Sequence, residues 1–428
     1  MTPHSSSEPH PKAGGRALAL LPLLPLAAVY GVQYFDQILL GLFVQPIKLE
    51  LGLSDTQLGL LTGAAFALLY TILGLPLARV ADRSSRKRLI VICTAVFSLA
   101  TAASGLAVGF ISLCIARMLV AVGEAGTMPA AVSILADAYR PHQRRLVMSL
   151  HSCGAFLATA VGLLAASLLS SVLSWRSVFL IAGIGGVILA LIVAWSVAEP
   201  IRQAAPAGGE ARSLTRDLKT ILRKPTFLLL ALALGIGAIA SAAMINWFPA
   251  FLARSQKVPQ PQIMLYLAIA WGVAATSGGV FFGMLTNWLH ARGGRLPLFV
   301  LGALIFTFSM VACLVFLTNT TMTTIAVFMV AFFLMGGIRG PAFAVIQDII
   351  PQEMRATASA IFMFSMYFIG FTLGPLLTGI ISDLLGASEG PESLRYALLF
   401  VVATSGSLGA ILAIISALFY PGGSDQRL

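Results

Sequence analysis

The chain has 428 residues, 58% of them hydrophobic and only 10% charged, and a net charge of +11. A soluble domain is about 25% charged, so these proportions exclude a water-soluble fold and mark an integral membrane protein. The basic excess then belongs in loops on one side of a bilayer and not on a nucleic-acid surface.

Residues 1–16 are polar, rich in Ser, Pro and His, and are expected to form a disordered tail. The apolar run after Arg16 reaches about Ile47. It is too long for a signal-peptide core and ends in no clear cleavage site, so it is expected to stay as the first membrane helix. The apolar runs predict an all-α chain with twelve spans, at 17–47, 55–79, 89–108, 110–139, 145–170, 174–198, 226–253, 262–289, 297–318, 321–350, 356–384 and 394–420. Ser54 and Asp55 open the second helix, where a Ser side chain can accept from free N–H groups. Cys93, Cys114, Cys153 and Cys313 fall within apolar segments without paired spacing and read as core thiols, not as disulfides or a metal site.

With the N-terminus inside, the Lys and Arg residues divide roughly four to one in favour of the inner face, a strong positive-inside signal. Both termini are then cytoplasmic, in the inner (plasma) membrane. Segment 199–225 is polar, basic and contains "APAGGE", as a linker would. The halves repeat. In "PAAVSILADAYRPHQRR" Asp137 precedes Arg144 by seven residues, and in "PAFAVIQDIIPQEMR" Asp348 precedes Arg355 by the same spacing. The expected organisation is a tail (1–16), a six-helix bundle (17–198), a linker (199–225), a second six-helix bundle (226–420) and a tail (421–428). Two such halves, related by an axis along the membrane normal, place a site near the midplane between them.

Ions inside the spans point to that site. Arg117 and Glu124 lie seven residues apart in the fourth span. They share a helix face but stand about 10 Å apart along the axis, too far for an ideal direct pair. Asp36 in the first span can bridge them, with Gln33, Gln37, Tyr30 and Tyr34 close by in sequence. A carboxylate whose Arg partner leaves can take a proton and lose it when the partner returns, which couples protons to conformation. The alternative is a static charge network that specifies packing. Arg339 lies in "MGGIRGPAF", a deformable stretch, and its fork suits a phosphate or carboxylate. Pairing with a backbone carbonyl at a helix break is the alternative. Asn246, Tyr367, Gln33, Tyr34 and Gln37 are further candidates for binding cargo, although Asn246 suits a helix–helix hydrogen bond equally well. Trp247 suits the cavity or an interfacial anchor. Asp82, Arg83, Arg86, Asp137 and Arg144 fall at the cytoplasmic helix ends. There Asp82 can face a helix N-terminus and Arg86 can reach Asp137, forming a conformational latch that holds the inner side closed. His151 reads as a packing residue before a proton carrier. No nucleotide loop, metal-ligand spacing or nucleophile elbow appears, so neither a cofactor nor an enzyme activity is expected.

"GLPLARVADRSSRKRLI" (74–90) resembles the signature loop of the major facilitator superfamily, G-x-x-x-D-R-x-x-R-[KR]. Asp82, Arg83, Arg86 and Lys87 match, Ala78 replaces the usual Gly, and "GMLTNWLHARGGR" (283–295) is a degraded second copy. "RMLVAVGEAGTMPAAVSILADAY", "QDIIPQEMRATASA" and "ESLRYALLF" resemble the Spinster-like branch, as does the membrane Asp36. Gln37 stands where relatives often have Arg. The resemblance implies a secondary active transporter working by alternating access, in a major facilitator fold. It also implies proton coupling and an anionic amphiphile such as a lysolipid or sphingolipid as cargo. The alternatives are proton-coupled uptake of a small organic anion such as a sugar acid, and a non-transporting sensor or receptor. Expected partners are the cargo, protons and membrane lipids. No nucleic acid is expected, and the chain is expected to be a monomer.

Overall fold

The computed structural model describes residues 22–139, 141–200, 214–290, 295–351 and 354–420, and among these every regular element is helical. Twelve spans form two pseudo-symmetric six-helix bundles. The first bundle holds α1 (Leu23–Leu42), α2 (Asp55–Gly59, Leu60–Ala64 and Ala65–Arg83), α3 (Arg86–Ser104), α4 (Phe110–Ala125 and Thr127–Ala138), α5 (Pro141–Leu169) and α6 (Trp175–Ser196). The second holds α7 (Pro225–Ser255), α8 (Gln260–Ile269, Ala270–Ala275 and Thr276–His290), α9 (Leu296–Leu317), α10 (Thr321–Ile349), α11 (Arg355–Ser365, Met366–Phe371 and Thr372–Glu389) and α12 (Ser393–Leu418). Among the described residues eleven helices are long and apolar enough to cross a membrane, and α5 contributes a shorter apolar stretch, Leu157–Leu169. The end bearing the 84–85 loop is the basic face, and the other end is the opposite face.

The boundaries depart from the sequence reading where proline removes a donor. The first helix does not run unbroken to residue 47. It stops at Leu42, and a separate helix spans Val44–Leu51. Pro46 has no N–H for the Leu42 carbonyl, and Gln260 Nε2 on α8 donates to that carbonyl instead, at 2.5 Å. The fourth helix is likewise divided at Gly126, just before Pro129. Ser54 caps α2 as expected: its Oγ accepts from Gln57 N at 3.1 Å while Gln57 Oε1 accepts from Ser54 N at 3.0 Å, a reciprocal capping box. Part of the linker is also helical: Leu214–Leu222 buries Ile221 against the second bundle. Residues 1–21, 201–213 and 421–428, which include both predicted tails, and the Cys153 side chain lie outside the described residues.

Two features of the packing set up the site. Segments of α2, α8 and α11 (Leu60–Ala64, Ala270–Ala275 and Met366–Phe371) are wound as π-helix. All three contribute side chains to cavities at the bundle interface, where such widened turns are characteristically found. Near the opposite face α2 and α11 cross at Gly59 and Gly379, where an added Cβ would meet the backbone of the other helix. Only glycine allows that approach, and it draws the bundles together at this end.

Candidate functional site

The intramembrane ions form one buried network across α1, α3 and α4. Arg117 is fully buried, and its Nη1 donates to Asp36 Oδ2 at 2.9 Å. Thr101 Oγ1 donates to the other oxygen of Asp36 at 2.5 Å, and the guanidinium also lies 5.4 Å from the Phe66 ring centroid. Glu124 is fully buried as well and is not paired with Arg117; it accepts from Gln37 Nε2 at 2.8 Å. Gln33 is spent inside the bundle, donating to the Glu124 carbonyl and accepting from Thr127 Oγ1 at 2.8 Å. Three atoms are left without a hydrogen-bond partner among the described residues: Glu124 Oε1, Arg117 Nε and Arg117 Nη2. An unpaired buried carboxylate or guanidinium is costly, so this half-satisfied arrangement is suited to more than one pairing.

Arg339 projects from α10 into a cavity of about 340 Å³. The cavity enters the second bundle between α7, α8, α9, α10 and α11 and meets Tyr34 of α1. Its wall is apolar, formed by residues such as Leu234, Ile245, Trp271, Ile305 and Met335. Arg339 Nη1 donates to the Tyr34 hydroxyl at 3.3 Å, and among the described residues no carboxylate pairs with the guanidinium. The two side-chain hydroxyls in the wall besides Tyr34 already donate within their own helices, Ser241 to the Ala238 carbonyl and Thr276 to the Trp271 carbonyl. Tyr34 also packs edge-on against Trp271 across the bundle interface. Tyr367 meets Tyr70 of α2 at 5.3 Å between ring centroids, also at the interface. Asn246 gives its Nδ2 to the Ala242 carbonyl at 2.9 Å and, with Gln37, lines a small neighbouring cavity. Trp247 is no interfacial anchor: it is fully buried, and its Nε1 donates to the Pro375 carbonyl at 3.0 Å.

A third cluster was not singled out in the sequence. At the opposite face, Asp55 of α2 ties the bundles together. It accepts from Lys48 Nζ at 2.6 Å, from Arg254 of α7 through two nitrogens at 2.7 and 2.8 Å, and from Ser382 Oγ of α11 at 2.6 Å. Asp383 of α11 caps the start of α2 in return, accepting from Asp55 N at 3.0 Å and Thr56 N at 2.7 Å. Gln45 accepts from Arg254 Nε at 2.6 Å. The signal available in sequence was the scarcity of charge at this end. An acidic N-terminal residue on α2 and a basic residue closing α7 have few other partners there.

Two bundles, a cavity where they meet and a charge cluster in the first bundle are the frame of a known transporter fold. The profile of the Major Facilitator Superfamily matches residues 26–375. The chain belongs to this superfamily. It is 31% identical to an MFS-type efflux pump of Mycolicibacterium smegmatis, over 90% of each chain. It is 27% identical to a hexuronate transporter of Bacillus subtilis, over 92% of this chain and 94% of the relative. A bacterial homologue of the human lysosomal transporter Spinster, solved in an inward-facing and unoccupied conformation, superposes with a TM-score of 0.81 at 26% identity, covering 95% of this chain and 97% of the other. The protein is a transporter and not an enzyme.

At the basic face, the superfamily's signature loop engages its own bundle. Arg86 is buried and joins three helix ends. It pairs with Asp137 at 2.5 Å and with Glu199 at 2.9 Å, donates to Ser133 Oγ at 3.0 Å and donates to the Pro200 carbonyl at 2.9 Å. Arg83 is exposed, and the side chains of Asp82 and Arg144 lie outside the described residues. Burial works against the charge on Glu199, but the Lys87 N–H, the Ser85 hydroxyl and Arg86 outweigh it and hold its carboxyl below the usual range. Because the folded value is depressed, this contribution to stability is present at neutral pH and lost as pH falls through the folded value. Arg86→Ala is expected to cost about 2–3 kcal/mol by stranding two carboxylates, read as a lower thermal midpoint of the purified protein. The smaller deficit of Glu199→Gln should fade as the medium is acidified below the carboxylate range.

Proposed function

We propose that this transporter couples proton movement to the outward transfer of an anionic amphiphile such as a lysolipid or sphingolipid-like molecule. The observation that carries this reading is Arg339, whose guanidinium meets one tyrosine hydroxyl and no carboxylate among the described residues, in a largely apolar cavity. A cargo with one anionic group can place it on the Arg339 fork and lay its hydrocarbon against Leu234, Ile305 and Met335. A sugar acid has a hydroxyl on nearly every carbon, and each would be buried here without a partner, which is costly. The hexuronate transporter among the relatives keeps that reading as the rival.

The basic face is assigned to the cytoplasm by the distribution of Lys and Arg. The Asp55 cluster then closes the outer side, as in an inward-facing state. In this state Arg117 belongs to Asp36, so Asp36 is ionised and Glu124, without a cationic partner, carries the proton. When the bundles rock, Arg117 turns its free nitrogens to Glu124, the proton leaves, and Asp36 becomes the acceptor. Arg86, Asp137 and their neighbours hold the cytoplasmic helix ends in register during that motion.

Flux into proteoliposomes under an imposed pH gradient tests both parts. Labelled lysophospholipid and a labelled sugar acid are compared, with Glu124→Gln and Asp36→Asn alongside. Lysolipid movement should follow the gradient and fall at least tenfold in either variant. Sugar-acid flux without lysolipid movement would overturn the cargo. Flux that ignores the gradient and survives both substitutions would reduce the carboxylates to structural ions.

A further inference from the structure

A second cavity lies behind the charge network, on the lipid side of the first bundle. It holds about 400 Å³ between α1, α3 and α6. Ile188 and Ile192 of α6 border it and are 53% and 46% exposed, so its mouth faces the acyl chains of the bilayer. Its floor is polar. Asp36, Thr101 and Ser98 line it. It does not communicate with the Arg339 cavity by way of α1: Tyr34 faces that cavity and Asp36 this one, and two residues turn a helix by about 200°.

We propose that this pocket binds a long-chain aliphatic amine drawn from the bilayer. The floor offers acceptors: the Asp36 carboxylate and the Thr101 and Ser98 hydroxyl oxygens. Thr101 Oγ1 lies within hydrogen-bond reach of both Asp36 and the Phe97 carbonyl, and its oxygen and the carboxylate both keep lone pairs to offer. Ser98 Oγ is 1% exposed and has no hydrogen-bond partner among the described residues, an unusual state for a buried hydroxyl. A primary ammonium brings three N–H donors and no acceptor and so complements this floor. Asp36 is the charged group that borders the pocket, and its carboxylate attracts an ammonium. A carboxylate or phosphate head would meet Asp36 as a like charge. The selectivity is therefore the reverse of that expected at Arg339, and the inference does not depend on what the central cavity carries.

Gly185 allows a clean test. It borders the pocket, and a Cβ added there has no atom within 4 Å, so a bulky side chain fills the cavity without displacing packed neighbours. The measurement is saturable binding of radiolabelled dodecylamine to the full chain in nanodiscs, with empty nanodiscs subtracted. Wild type should bind saturably, and excess unlabelled dodecanoate should not displace the label. Gly185→Phe should weaken binding at least tenfold with an unchanged thermal midpoint, and Ser98→Ala should weaken it to a lesser degree. Gly237→Leu, which fills the Arg339 cavity, should leave it unaltered. The proposal is overturned by the absence of a saturable component, by equal displacement with dodecanoate, or by binding that survives Gly185→Phe. Loss in Gly237→Leu with retention in Gly185→Phe would place the amine in the central cavity and overturn it as well.

Discussion

Replacing Arg339 with glutamine is expected to weaken transport of an anionic amphiphile severely while leaving the protein folded. The guanidinium reaches one tyrosine hydroxyl and no carboxylate among the described residues, so its removal strands no buried partner charge. A charge-assisted hydrogen bond is worth about 1.5–3 kcal/mol, and a bidentate one in an apolar wall more, so apparent affinity should drop roughly 100-fold. Arg339→Lys should recover only part of the loss, because a single ammonium cannot reproduce the planar fork. Gly237→Leu separates head from tail recognition. The added side chain enters the cavity with its Cβ at ordinary contact distance from Ile305, so long-chain cargo should suffer more than short-chain cargo of the same head. Both are read as concentration dependence of flux in proteoliposomes. Unchanged flux in Arg339→Gln would remove the headgroup site from this cavity.

Asp55→Asn should shift the conformational equilibrium more than any other single substitution. Asp55 accepts from Lys48, from two nitrogens of Arg254 and from Ser382, and three of those four bonds cross between bundles. Stripping the charge from a buried, multiply bonded carboxylate costs about 3–5 kcal/mol, a change of roughly 10²- to 10⁴-fold in the population of the state it closes. Spin labels at Leu49 and Leu384, both well exposed at the opposite face, should then report a longer and broader distance distribution, with transport slowed because closure fails. Distances identical to wild type would mean that glycine-mediated contact of α2 with α11 closes this end without help from the ions.

Helix arithmetic went a long way with the charge network. The spacing of Arg117 and Glu124 excluded an ideal direct pair; Asp36 meets Arg117 at 2.9 Å but does not bridge to Glu124, which Gln37 holds instead. Arg86 reaching Asp137 was legible from the signature loop. The glutamines were not. Gln33 and Gln37 read as cavity residues beside Tyr34; Gln37 does border the small cavity there, but both give their amide N–H groups to Glu124. Which way an amide on α1 points depends on the rotation of that helix against α4. Asn246 and Trp247 turned inward for the same kind of reason, each finding a backbone carbonyl.

By itself the sequence determined the membrane class, the spans, their repeat and the chemistry of the buried ions. Those follow from hydropathy, period and composition, which act along the chain. Tertiary structure decided what long-range packing alone can bring together: Asp55 with Arg254, 199 positions apart, the break before Pro46 repaired by Gln260, and two cavities on the two sides of α1, one beside Arg339 and one beside Asp36. In hydrocarbon the helices are driven together by close packing and by polar groups seeking partners, and neither is encoded within one segment.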